Sequence, residues 1–368
     1  DVYDFDVGKK RLDFLRGDTS NEGDGVGQFR KRNATATDSS VLGDIVNSSP
    51  LYVSYPPFRY RDDLETPAYS AFRKANADRA GMVYVGANDG MLHGFSAADG
   101  KEKIAYVPST AYKGLAQLTL PSYNTTTSEA GNAGSTGSTQ HRYFVDSTPT
   151  MGDAFWGGSW HTVLIGRLGA GGQGTFALDI TKPADGFSTS NVLWERTDAD
   201  TDYADLGYTY GKAVVAKMNN GQWAAIFGNG YNNLEPDGHV GNGQGVLYVV
   251  NVETGEVIKK INTDVTSNGL STPWLYDVDG NDIADWIYVG DVEGRVWKFD
   301  VSDSSPTNWE AKLLFTATNQ PITTSLWTLE HPKGGVMVLF GTGRFLGNSD
   351  KFNTDPQAYY GIWDRESI

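Results

Sequence analysis

The chain has 368 residues, among them 44 Gly, 10 Trp, 19 Tyr and 16 Phe, a load that excludes a disordered chain and a long coiled coil. No apolar run approaches the roughly 18 residues that a membrane-spanning helix needs, so membrane insertion is not expected. Thirty basic against 45 acidic residues leave a net charge of −15, which disfavours nucleic acid and anionic lipid as partners and favours cations, and the absence of Cys removes disulfides, thiolate metal sites and cysteine nucleophiles.

In chain order, residues 10–15 read as a short helix ended by Gly17, and residues 19–40 as a polar, irregular strap. Thr66 is expected to cap a second helix over 67–77, with Pro67 at its first position. Residues 124–140 are Ser, Thr, Gly, Asn and Ala with no apolar period, a loop insert. The chain starts at Asp1 with no Met and no signal-like apolar region and reads as a piece of a longer protein, so its start says nothing about targeting. A Cys-free composition suits an oxidising compartment.

The remainder is repetitive. Residues 82–95 (MVYVGANDGMLHGF) and 286–299 (WIYVGDVEGRVWKF) align without gaps as two hairpins, each with an acid-Gly pair expected to supply the positive φ angles of the turn. Looser copies run from Val163 to Asp179, Ala225 to Asn251 and Val338 to Asp364. A further strand-like run precedes each hairpin, at 49–53, 148–151, 212–215, 272–276 and, more weakly, 325–327. About five units recur, mostly roughly 50 to 65 residues apart, which points to an all-β fold, a β-propeller of antiparallel blades with short helical inserts. A truncated or poorly matching blade escapes such a count, so a total of seven is compatible with it. A β-sandwich would not need the same hairpin plan five times. The expected division is a strap with a short helix over 1–40 and a propeller over 41–368.

The strongest chemical motif is DVDGNDIAD at 277–285. It sets oxygens from Asp277, Asp279, Asn281 and Asp285 at loop positions one, three, five and nine, with the backbone carbonyl of Ile283 at seven. Six to eight hard oxygens on a flexible loop suit Ca²⁺. The loop departs from an EF-hand: Tyr288 stands at position twelve, Asp282 stands where the usual Gly sits, and strands rather than helices flank it. An Asp-rich turn without metal is the competing reading. A weaker acidic run, Asp198, Asp200, Asp202 and Asp205, reads as a solvated loop.

Arg16-Gly17-Asp18 is an integrin-type tripeptide that coincides with the end of the first helix. The five His residues are scattered, no Gly-x-Ser-x-Gly elbow occurs, and the Gly-rich stretch 169–174 lacks the Lys and helix of a phosphate loop. Trp274, Trp286 and Trp297 fall on strands and read as blade packing.

Several stretches together resemble the C-terminal β-propeller of the PilY/PilC type IV pilus biogenesis factors and tip adhesins: LGDIVNSSP at 42–50, YVGANDGMLH at 84–93, HRYFVDSTP at 141–149, DLGYT at 205–209 and the acidic loop with its following strand. The resemblance implies a non-enzymatic, exported protein at the bacterial cell surface and pilus tip. It implies the type IV pilus, through pilins or minor pilins, as partner, and a Ca²⁺ loop linked to the balance of pilus extension and retraction. It also implies a host receptor such as an integrin for the Arg-Gly-Asp tripeptide. Two alternatives remain. A quinoprotein-like propeller enzyme is suggested by residues 251–258, although their motif lacks its closing Trp and the chain lacks Cys. A carbohydrate-binding propeller would use loop Trp and Tyr rings.

Overall fold

The structure is a computed structural model that describes residues 5–32, 41–123, 141–183, 186–234, 239–266 and 269–366. The loop insert expected at 124–140 lies outside the described residues, as does 33–40 of the strap.

Helix α1 (Phe5–Leu15) begins earlier than expected and buries Phe14. Its end is the one expected: Gly17 takes φ +102°, its N–H donates to Phe14 O (2.9 Å), and the Asp18 N–H reaches back to Asp13 O (2.9 Å). These two bonds satisfy carbonyls that a helix end otherwise leaves open, in the left-handed arrangement that favours Gly. The strand-like runs form five sheets among the described residues, one for each repeat unit. The first holds β1 (Leu51–Val53), β2 (Met82–Gly86), β3 (Leu92–Ser96) and β4 (Glu102–Tyr106). The second holds β5 (Thr150–Trp156), β6 (Ser159–Arg167), β7 (Gly174–Asp179) and β8 (Val192–Thr197). The third holds β9 (Val214–Met218), β10 (Trp223–Gly228), β11 (Gln244–Asn251) and β12 (Val257–Thr266). The fourth contains β13 (Trp274–Tyr276), β15 (Trp286–Gly290), β16 (Arg295–Asp300) and β17 (Glu310–Thr316); the fifth contains β18 (Trp327–Glu330), β19 (Val336–Gly341) and β20 (Tyr359–Asp364). Neighbours within these series pair antiparallel and in sequence order, the meander of a propeller blade.

Consecutive sheets pack face to face. One apolar cluster joins Tyr84 and Leu92 of the first sheet to Leu164 and Phe176 of the second, and another joins Val163 and Trp194 to Phe227 and Tyr248 of the third. A third places Ile226 and Val249 against Ile287 and Phe299, and a fourth places Tyr288 and Val296 against Val338 and Phe340. Sheets covered on both faces need apolar residues at successive positions, not alternate ones. Hence Trp-Ala-Ala-Ile-Phe-Gly of β10 and Trp-Ile-Tyr-Val-Gly of β15 are buried throughout. In β19 burial alternates, and the other face of that sheet leaves Trp327, Leu329 and Tyr359 exposed.

Two local expectations are corrected. In the acid-Gly turns only the glycines, Gly90 and Gly294, take positive φ. Asp89 instead accepts the Met91 N–H with its side chain, and in the second hairpin Asp291 accepts those of Glu293 and Arg295. Nor does Thr66 cap a helix at Pro67. Helix α2 runs Tyr69–Ala75, the Thr66–Pro67 peptide is cis, and the free Ser70 N–H at the helix start is taken by Asp62 (2.9 Å). A carboxylate from outside the helix thus does what the local sequence assigned to Thr66.

Candidate metal centre

The acidic loop connects β13 to β15. Asp277, Asp279 and Asp285 each offer a carboxylate oxygen, and these oxygens all lie within 4.8 Å of one another. Oxygens bound to one Ca²⁺ at about 2.4 Å can be no farther apart than about that distance, so the separation fits a shared ion. The three carboxylates could hold a metal ion, and among the described residues they are the cluster of this kind. Asp279 is exposed, Asp277 half-buried and Asp285 buried, so the cluster opens to solvent on one side.

Backbone N–H groups hold the acids in place. Asp277 Oδ1 accepts from Gly280 (2.8 Å) and Asn281 (3.2 Å), and its Oδ2 accepts from Asp282 (2.7 Å). Asp279 Oδ1 accepts from Asn281 (3.1 Å), and Asn281 Oδ1 from Ile283 (2.7 Å). Gly280, at φ +75°, allows the bend, and no atom lies where its Cβ would project. Burial pushes the Asp285 carboxyl up from its ordinary range. The Val278 N–H and the Asn219 amide act against this, while Asp279 and Asp277 push it further up. That mutual repulsion is what a bound cation relieves.

The sequence reading missed the loop's connection to the neighbouring sheet. Ile283 and Ala284 form β14, which pairs parallel with β9 of the third sheet (Ile283 with Lys217, Ala284 with Met218). Asn219, just past β9, donates through Nδ2 to Asp285 Oδ1 (3.0 Å), Ala284 O (3.0 Å) and Val301 O (3.2 Å). The loop therefore belongs to the seam between two blades. Two residues of strand carry no periodicity to announce this, and a lone Asn carries no motif.

The other candidates fall elsewhere. Arg16 and Asp18 are exposed at the end of α1, with Asp18 Oδ1 accepting the Ser20 N–H (2.7 Å) and Asp18 O accepting from Arg32 (3.0 Å). Asp200 is exposed and accepts the Thr197 N–H, as expected of a solvated loop. Asp205 departs from that expectation: it is buried, pairs with Lys260 (2.5 Å) and accepts the Asn242 N–H. Trp286 and Trp297 are buried in the apolar clusters on opposite sides of the fourth sheet, and Trp274 packs in the cluster of Trp286, as expected of blade packing. The structure also assembles a trio that spacing did not reveal: Ser159 Oγ lies 2.9 Å from His161 Nε2, and His161 Nδ1 lies 2.8 Å from Asp179 Oδ2. The trio ties β6 to β7, and the Asn191 amide beside it donates to Asp179 O (3.1 Å).

Three of the motif stretches converge at the start of the propeller. Asp44 pairs with His141 (2.8 Å) and accepts from Asn88 (3.0 Å); Asn47 donates to Asp146 (2.6 Å); Gly43 N–H donates to Asp89 (2.7 Å); Phe144 N–H donates to Asn88 (3.1 Å). Residues far apart in sequence thus form one hydrogen-bonded join.

The family described as the PilY1 beta-propeller domain matches residues 42–368. The type IV pilus biogenesis factor PilY1 of Pseudomonas aeruginosa (strain UCBPP-PA14) is 39% identical over 400 residues, covering 98% of this chain and 31% of that protein. A PilY1 homolog of Xylella fastidiosa (strain Temecula1) is 36% identical over 392 residues, covering 97% of this chain and 24% of that protein. The chain thus spans a third or less of the length of these relatives. The crystal structure of the Pseudomonas aeruginosa PilY1 C-terminal domain is similar with a TM-score of 0.67 and 34% identity, over 86% of this chain and 64% of that one. The repeated blades, the motif join and this match over most of its length place the chain in the PilY1 β-propeller family of type IV pilus biogenesis factors.

Proposed function

We propose that the chain is the Ca²⁺-binding propeller of a cell-surface pilus biogenesis factor, non-enzymatic, in which the ion biases pilus extension against retraction. The single observation that supports the ion is the Asp277, Asp279 and Asp285 cluster in a member of this family. In this reading Asn281 Oδ1 and the Ile283 carbonyl complete the protein's share of the shell. Ca²⁺ brings two positive charges to three carboxylates, and the chain's own N–H groups hold those carboxylates in place. The partner is the type IV pilus through its pilins or minor pilins, the location is the pilus tip, and residues 1–40 act as a strap on a propeller spanning 41–368.

Calorimetric titration with Ca²⁺ tests this. One site is expected in the parent chain and none in the Asp277→Ala, Asp285→Ala double variant, with unchanged circular dichroism. No heat in the parent would leave the loop an acidic turn.

A second role, attachment to a host receptor such as an integrin through Arg16, Gly17 and Asp18, is favoured by the exposure of both charged side chains. Asp18→Glu lengthens the carboxylate by one methylene and leaves the helix end intact, so it should abolish integrin-dependent cell attachment. Undiminished attachment would remove this role.

A further inference from the structure

Asp282 is at loop position six, where Ca²⁺ loops of the EF-hand type carry Gly, and its backbone is left-handed at φ +65°. A side chain in that conformation is strained, less for Asp than for most residues. What the Asp side chain does there is reach a distant segment: its Oδ2 accepts the backbone N–H of Arg61 at 2.7 Å. The N–H of Asp282 itself donates to Asp277 Oδ2, also at 2.7 Å. One unbroken chain therefore runs from a carboxylate of the metal cluster, through the Asp282 backbone and side chain, to residue 61.

A second connection ends on the same segment. Ile283 of β14 pairs with Lys217, whose Nζ donates to Leu64 O (2.9 Å) and Glu65 Oε1 (2.6 Å). Glu65 Oε1 also accepts from Trp223 Nε1 (2.9 Å). Both ends of residues 61–65 are thus fastened to the loop, one directly by Asp282 and the other through Lys217. Just before them, Phe58 stacks on Tyr60 (5.3 Å), and Tyr60 packs against Trp160 (5.7 Å) and Trp223 (5.2 Å), covering the seam between the second and third sheets.

We infer that ion occupancy of the acidic loop is coupled to the docking of residues 58–65, with Asp282 as the connecting residue. The inference rests on the calcium reading above. A bound cation fixes Asp277 and with it the Asp282 N–H and carboxylate that hold Arg61. Without the ion the three carboxylates repel one another, the loop relaxes, and the segment loses an anchor over its aromatic pair.

Hydrogen exchange of the whole chain, in excess Ca²⁺ and in chelator, tests the coupling beside calorimetry on the same samples. Peptides over 58–65 should exchange about tenfold more slowly with Ca²⁺. Asp282→Gly keeps the left-handed backbone and deletes the acceptor, so it should still bind one ion while this difference disappears. Asp282→Asn keeps an acceptor oxygen and should retain the difference, as should Arg61→Ala, because the donor is the backbone. Equal exchange with and without bound Ca²⁺ in the parent would overturn the coupling alone, as would a difference that survives in Asp282→Gly. Absence of Ca²⁺ binding in the parent would overturn the calcium reading and the coupling with it, and calorimetry separates that result from the others.

Discussion

His93 is buried on β3, with Nδ1 2.5 Å from Glu102 of β4 and Nε2 3.1 Å from Asp89 in the preceding turn. Burial acts against its charge, but the hydrogen bonds and charges of Asp89 and Glu102 outweigh burial and raise its pKa. The protonated ring therefore stabilises the fold fully below the ordinary His range, and that contribution fades as pH rises through the raised value. The parent chain should lose more stability between pH 6 and pH 8.5 than His93→Gln does, measured by denaturant midpoint. Parallel losses would place the imidazole outside the pH response. In sequence His93 was only part of a recognisable hairpin, because its two carboxylate partners come from a turn and a different strand.

At the scale of elements, the fourth and fifth sheets are joined by a buried ion pair as well as by apolar packing. Lys298 of β16 is 1% exposed and lies 2.8 Å from Asp364 Oδ2 of β20, 2.6 Å from Glu366 Oε2 and 3.2 Å from the centre of the Trp286 ring. The Tyr288 hydroxyl donates to the same Asp364 oxygen (2.8 Å). Removing the ammonium strands a buried carboxylate, so Lys298→Met should cost about 3 kcal/mol, with part recovered by adding Asp364→Asn. A loss below about 0.5 kcal/mol, measured by urea unfolding, would mean that solvent already screens the pair. The hairpins were legible one by one because their alternating apolar runs and turn glycines are local signals. Helix α2 was legible as an element but not at its start, since the carboxylate that serves its first turn comes from Asp62.

At the scale of the molecule, apolar packing joins the sheets, whereas Asp277 and Asp285 bond to the loop's own N–H groups and to Asn219, which is why losing both should remove the ion and leave the fold. The repeat, the propeller fold and the identity and spacing of the three clustered acids were settled by sequence. Strand periodicity and alternate loop oxygens are short-range patterns, written within a few residues. Tertiary structure alone decided what those patterns connect. It placed Asn219 on Asp285, Asp282 on Arg61 and Lys217 on Glu65, across 66, 221 and 152 positions of chain. It also turned the motif stretches around Asp44, Asn88 and His141 into one join at the start of the propeller. Such pairs depend on which blades become neighbours when the sheets stack, and no local spacing along the chain encodes that.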